Sequence, residues 1–280
     1  MTTLITTATV ESWCGASAGD AVIAILHPAV EKQLQEKLRR NLGTQPYTHE
    51  RYDGSGGRTL LLDNWPITSI SRVSIGTRTA FTLGNSSTDA SNALVEVSST
   101  GITLTLSGGA NAHAAQAFTF AAYATMATLI AAINTYAHGW TATVSDTAYN
   151  SYPSSDLLPV LGGYGLGASA LDMEMPEEPA EGFTYTSDGR LVLPYSIWPA
   201  GNQNIIVTYT AGYITGEGAN LPDDLKMLIL GTVKEMYDRH KSSSENLKSY
   251  SIGNVSKTFG DITERDWVRD IIARYRRPLL

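Results

Sequence analysis

YTHERYDGSGGRTLLLDNWPITSISRVSI, residues 47–75, decides the fold class because it holds three strand signals divided by turn chemistry. Tyr47 to Asp53 reads as the first strand, GSGG at 54–57 supplies the turn, Arg58 to Leu62 reads as the second, and Ile67 to Ile75 as the third. Pro66 has a fixed φ and no N–H to give a ladder, so it marks a tight corner between the last two. In SISRVSI, Ile70, Val73 and Ile75 are apolar, and the step from 70 to 73 breaks strict alternation. A bulge or local twist is expected there.

Toward the N-terminus the period changes from two to about four. A first helix is expected from Asp20 through Leu26, and Pro28 stands where a first-turn proline would open a second. In that second helix Val30, Leu34, Leu38 and Leu42 recur every fourth residue among Glu31, Lys32, Glu36, Lys37 and Arg39, with Gly43 as its C-cap. The preceding TTATVESWC, ending at Cys14, reads as a short strand or a flexible lead-in to the Asp20 cap.

Beyond residue 83 the texture becomes rich in Ala, Ser, Thr and Gly, and it stays so to residue 182. This block reads as an insertion. ALVEV, GITLTL and AFTF are strand-like, Ala124 to Ala137 is an Ala-rich helix facing Met126, Leu129, Ile130 and Ile133 inward, and WTATV is a closing strand, giving a ββαβ-like module. A glycine-rich loop around LGGYGLGAS and an acidic, solvated linker, DMEMPEEPAEG, complete it.

Strands then return at Phe183 to Thr186, Arg190 to Leu193 and Ile205 to Tyr209. A long helix opens on Pro222, with Asp223 and Asp224 at the positive end of its dipole and Arg239, His240 and Lys241 at the negative end. Leu225, Leu228, Ile229, Val233, Met236 and Tyr237 form its apolar face. After a polar connector, Thr263 and Asp266 suit a capping box for a last helix through Tyr275. Its apolar positions are Trp267, Val268, Ile271 and Ile272, and it ends in the basic cluster Arg274, Arg276 and Arg277. The expected fold is α+β: helices packed around a small antiparallel sheet formed by residues 1–83 and 183–280, with 84–182 inserted.

The composition of the 280-residue chain, 42% hydrophobic and 17% charged, is that of a folded protein. A net charge of −7 argues against gripping nucleic acid by its phosphates, but is compatible with DNA sliding past. The single cysteine, Cys14, forms no intrachain bridge and fits a reducing cytosol. The start has no signal-peptide pattern, and no apolar run reaches membrane-spanning length.

Several motifs imitate chemistry. Gly15 to Gly19 matches G-x-S-x-G around Ser17, which would need a strand before it and a parallel βα sheet around it. The histidines at 27, 49, 113, 138 and 240 are scattered without metal-ligand spacing, and Gly162 to Gly167 lacks the dinucleotide spacing. Asp172, Glu174, Glu177, Glu178 and Glu181 lack the calcium-loop pattern, and Cys14 has no histidine-containing motif beside it. No catalytic residue, cofactor or metal is expected.

The order of features resembles phage head-tail connector (adaptor) proteins: a helical hairpin, LLDNWPITSISRV at 61–73, VTYTAGY at 207–213, Pro222-Asp-Asp-Leu, and a terminal IIARYRRP. The resemblance covers roughly residues 20–83 and 183–277; the block between them departs from it. It implies a non-enzymatic virion subunit of the neck, assembled in the host cytoplasm as a homo-oligomeric ring, a dodecamer, on the portal protein. That ring would extend the DNA channel and offer a surface to a tail or neck completion protein. It also implies portal docking by Arg269, Arg274, Tyr275, Arg276 and Arg277, and core or ring packing by Leu225, Leu228, Ile229, Val233 and Met236. On the bland alternative, the C-terminal arginines only complement a helix dipole. Two other classes stay open at this stage: a virion or tail decoration protein whose insert binds a receptor or carbohydrate, and a serine hydrolase using Ser17.

Overall fold

The computed structural model describes residues 3–136, 138–165, 170–216, 220–242, 249–252, 255–258 and 266–276. In chain order it contains α1 (Thr7–Cys14), α2 (Ala21–Leu38), β1 (Gln45–Gly54), β2 (Thr59–Leu61), β3 (Ile67–Ile75), β4 (Thr77–Asn85), β5 (Asn92–Val97), β6 (Gly101–Ser107) and β7 (His113–Thr119). It continues through α3 (Met126–Thr135), β8 (Trp140–Val144), β9 (Val160–Tyr164), β10 (Leu171–Pro176), β11 (Thr184–Tyr185), β12 (Arg190–Val192) and β13 (Gly201–Ala211). Then come α4 (Asp223–Lys241), the hairpin strands β14 (Ser249–Ile252) and β15 (Val255–Thr258), and α5 (Asp266–Tyr275). The architecture is α+β, built on small antiparallel sheets.

Three apolar clusters organise it. The helical cluster joins α1, α2, α4 and α5 through residues such as Val10, Ile23, Leu34, Leu38, Ile229, Val233 and Val268. The second lies around the sheet β1-β13-β3 and the small sheet β11-β12-β2, centred on Val73, Leu191, Trp198, Val207 and Tyr209. The third lies between residues 77 and 176, where the sheets β7-β6-β5-β9 and β10-β4-β8 and helix α3 share one core of Phe81, Val95, Leu104, Leu129, Ile133 and Met173.

Strand β3 matches its sequence signal end to end. Its bulge falls where alternation broke: Arg72 pairs with Thr208 but Ile70 pairs with Tyr209, leaving Ser71 unpaired. The partner is β13, more than a hundred residues later in the chain.

Several expectations are corrected. TTATVESWC is helix rather than strand: Thr6 caps it by accepting from the Thr9 N–H, Val10 and Cys14 face the core one turn apart, and Gly15 at φ +66° ends it. Helices one and two of the reading are a single helix. Asp20 caps α2 as expected, but Pro28 lies inside it, because Ile23, His27, Val30, Leu34 and Leu38 keep one buried face on both sides of the proline. The missing hydrogen bond falls on the exposed Ala24 carbonyl. Arg39, left-handed at φ 57°, ends the helix instead of Gly43.

Farther along the chain, LGGY is strand β9, zipped onto β5 with Tyr164 opposite Leu94. The acidic DMEMP is not linker but strand β10: Met173 and Met175 point into the core while Asp172 and Glu174 point out. β8 pairs with β4, and β9 extends the β5–β6–β7 meander, so the ββαβ-like run is joined by further strands in both of its sheets. Its core already includes Ala80 and Phe81, ahead of residue 84. The Thr263 end of the proposed capping box lies outside the described residues.

Candidate interaction site at the helical end

The C-terminal helix α5 lies against α2 and α4 through Val268 and Ile271, leaving Trp267 43% exposed. Two anchors fix its last turn. The Tyr275 hydroxyl donates to Asp224 Oδ1 at 2.9 Å, and Arg274 Nη1 meets Asp224 Oδ2 at 3.1 Å, so the first turn of α4 holds the end of α5. Burial, together with the Asp224 carboxylate, pushes the Tyr275 phenol up to about 12.

From the other side comes Arg40, just past the end of α2 and only 6% exposed. Its Nε donates to the Tyr275 carbonyl at 3.0 Å and its Nη1 to the Trp65 carbonyl. The guanidinium lies 3.9 Å from the Trp65 ring centroid and 5.9 Å from that of Tyr213. An arginine so placed makes use of planarity that a lysine lacks. Burial pulls its pKa down, and the Tyr213 phenol opposes that pull. Trp65 belongs to LLDNWP, Tyr213 closes VTYTAGY, and Asp224 follows Pro222. Segments far apart in the chain thus meet around one side chain.

A second joint ties two of them again. Tyr52 and Tyr209 both donate to Glu50 Oε2, at 2.5 and 2.7 Å, and Asn64 Nδ2 donates to the Tyr209 hydroxyl at 3.3 Å. Desolvation drives both phenols well above their ordinary pKa. At the N-terminus the buried Glu31 carboxylate accepts from the Leu4 and Ile5 N–H groups and meets His27 Nε2 at 3.0 Å, tying the start of the chain to α2.

Of the residues singled out for packing, Leu225, Leu228, Ile229 and Val233 are buried in the helical cluster. Met236 is 38% exposed. The row of four-residue steps, Leu225, Ile229, Val233 and Tyr237, points inward instead, with the Tyr237 hydroxyl donating to Asp20, and Met236 falls on its flank. Of the proposed docking residues, Arg269 reaches Asp266 at 3.8 Å, Arg274 and Tyr275 engage Asp224, and Arg276 is exposed. Arg277 lies outside the described residues.

The imitative motifs fall apart in three dimensions. Ser17 is exposed in the link between two helices, without the strand an elbow requires. Cys14 is buried, which raises its thiol pKa. Among the described residues, no three His, Cys, Asp or Glu side chains cluster as metal ligands. Glu174 pairs with Arg51 at 3.8 Å, while Glu177 and Glu178 pair with Arg78 at 3.8 and 2.7 Å.

These acids lie where β10 and the segment after it meet β1, β3 and β4, and Arg72 of β3 is the main clamp there. It reaches Asp156 Oδ2 at 2.9 Å and the Pro176 and Glu177 carbonyls at 3.1 and 2.7 Å. Neither Arg40 nor Arg72 stood out in the sequence.

The family comparison found no model that matches this chain, and no curated protein matches it. Among solved structures, the chain is similar to the neck of an empty GTA particle computed with C6 symmetry. The identity is 13% and the TM-score 0.39, over 98% of this chain and 90% of that one.

His49, in the β1 bulge at φ 55°, gives a pH prediction. Burial lowers its pKa; Asp156 opposes the shift and Arg72 and Arg51 reinforce it. Its folded pKa is depressed, so as pH falls below about 6.5 the unfolded chain takes up a proton that the folded chain refuses. Stability should therefore drop as pH falls from that value toward the folded pKa. His49→Asn, which tolerates the left-handed backbone, should flatten part of the slope in urea midpoints between pH 7.5 and 5.5. An unchanged slope would count against the assignment.

Proposed function

We propose that this chain is a structural subunit of a tailed-phage neck: a head-tail connector that forms a homo-oligomeric ring, a dodecamer, on the portal protein. The ring extends the DNA channel and presents a surface for tail attachment, and no bond is made or broken. The convergence on Arg40 carries this proposal. The stretches around Trp65, Tyr213, Asp224 and Tyr275, which bear the resemblance to connectors, build one joint although residues 84–182 interrupt them. We assign residues 1–83 and 183–280 to the connector core and 84–182 to an added module.

The energy of assembly comes from burying complementary surface between neighbours. In the docking step, Arg269, Arg274, Arg276 and Arg277 meet an acidic portal surface, while Tyr275 holds α5 at the right angle through Asp224. Electron microscopy of the protein mixed with its portal is the direct test. Rings stacked on the tail-side face are expected; particles that never bind the portal would overturn the proposal. Replacing Arg274, Arg276 and Arg277 by Ala should weaken docking at least tenfold. The fold should survive, because the exposed Arg274–Asp224 pair contributes at most about 1 kcal/mol. Undiminished docking would remove the C-terminal assignment.

A further inference from the structure

The sheets β1-β13-β3 and β11-β12-β2 share one core, and along one side they are stitched together. There the Ala180 N–H donates to the Val73 carbonyl at 2.7 Å, and the Ile67 N–H to the Ser187 carbonyl at 2.9 Å. The other side is open. Among the described residues, β1 is laddered only to β13 and β2 only to β12, and no backbone hydrogen bond crosses between β1 and β2.

The gap between them is a cavity of about 440 Å³, lined by Arg51, Tyr52 and Asp53 on one wall and Thr59, Leu60 and Leu61 on the other. Successive side chains of a strand point to opposite faces of its sheet. Arg51 accordingly reaches Glu174 of β10 while Tyr52 is buried in the core, and Leu60 is buried while Leu61 is 42% exposed. A cavity that touches three consecutive residues of each strand therefore borders the strand edges. Along such an edge, alternate N–H and C=O groups point outward with no partner strand. From the spacing and rise of strands and the thickness of a sheet layer, one strand residue fills roughly 160 Å³, so the seam holds about three, as many as line each wall.

We propose that this seam takes an extended segment of another polypeptide, hydrogen-bonded to β1 on one side and to β2 on the other, so that the two sheets become one. Main-chain donors and acceptors on both walls select that occupant. A helix keeps its amides bonded internally, whereas a strand presents them on both edges at the required repeat. The partner is the tail-side protein of the neck. β1 starts beside the helices, where the Thr44 N–H donates to the Tyr213 carbonyl, and the seam lies along its Gly54 half. Its ten residues span about 30 Å, so a ring seated on portal through α5 turns the seam toward the tail. The tail-side assignment rests on the docking of α5 proposed above.

The test uses portal-bound rings of the full chain, with and without purified tails. Outward-pointing amides in residues 51–53 and 59–61 should exchange at least tenfold more slowly once tails have joined. Contact through side chains alone would leave them as fast as before and would overturn strand addition. Leu61→Lys should leave the urea midpoint and portal loading unchanged, because Leu61 is exposed, and should cut tail joining at least tenfold; undiminished joining would also sink the proposal. A photo-crosslinker in place of Leu61 should label a tail-side protein, and labelling of portal or of a second copy would overturn the choice of partner. If the unaltered chain never loads onto portal, the connector reading itself fails.

Discussion

Arg40→Ala is expected to lower the stability of the helical end by about 2–4 kcal/mol and to release α5. The substitution leaves the Trp65 and Tyr275 carbonyls without their donor and removes the cation from the Trp65 ring. Each loss is modest in water, but all occur at a site that excludes it, where an abandoned buried acceptor retains its full desolvation penalty. Amide exchange across Trp267–Tyr275 should accelerate more than that across α4, because the short helix then keeps only a few apolar contacts, Val268 and Ile271 foremost, and the Asp224 bonds of its last turn. Arg40→Lys should recover little, since an ammonium cannot both lie flat on the indole and donate in two directions. Unchanged exchange in α5 would show that Arg40 only fills space. If α5 is the docking element, the same variant should also bind portal less well while keeping its arginines.

The second large effect is a deletion that the rest of the chain should survive. β4 and β10 are neighbours, with Thr77 opposite Pro176, so the block leaves and re-enters the core at one place. Joining Thr77 to Pro176 through Asn-Gly would close them as a tight hairpin. The returning segment has its own anchors on the core: the Glu177 N–H donates to the Gly76 carbonyl and the Ala180 N–H to the Val73 carbonyl. Across the junction the shortened chain loses Asp156 from Arg72, at about 1.5–3 kcal/mol for a charge-assisted bond, together with the more exposed Arg51–Glu174 pair and the Arg78 pairs of Glu177 and Glu178. The shortened chain should unfold cooperatively and still load onto portal. Residues 77–176 expressed alone should also fold, having their own core. If the shortened chain is unfolded, the block is part of the core's foundation. If 77–176 alone binds cells or glycans while the shortened chain never loads, the decoration alternative replaces the connector.

Periodicity made much of this fold legible. β3 and β8 end where their apolar patterns end, and Pro222 with its two aspartates marked α4. What escaped was whatever depends on partners distant in sequence. Arg40 lies in the charged run KLRRN, where any arginine resembles a solvated helix end. Its ligands at 65 and 275 cannot be read from neighbours in the chain. Arg72, in an otherwise ordinary strand, gains its meaning from Asp156 and Glu177. DMEMP looked like a linker because its acids and proline outweighed two methionines, yet period-two alternation was present. Met236 shows the reverse: a generic apolar face overstates burial where the inward row narrows to a single line.

The pairing of β4 with β10 also bears on the order in which the chain folds. β3 cannot meet β13 until about 125 intervening residues are brought round, and such a closure is slow and entropically costly. Once the module has condensed and zipped Thr77 to Pro176, the span left to close shrinks to about 25 residues, easing closure by about 1.4 kcal/mol. A block that makes up about a third of the chain therefore need not delay the sheet it interrupts, provided it folds first, and during synthesis it leaves the ribosome before β13 does.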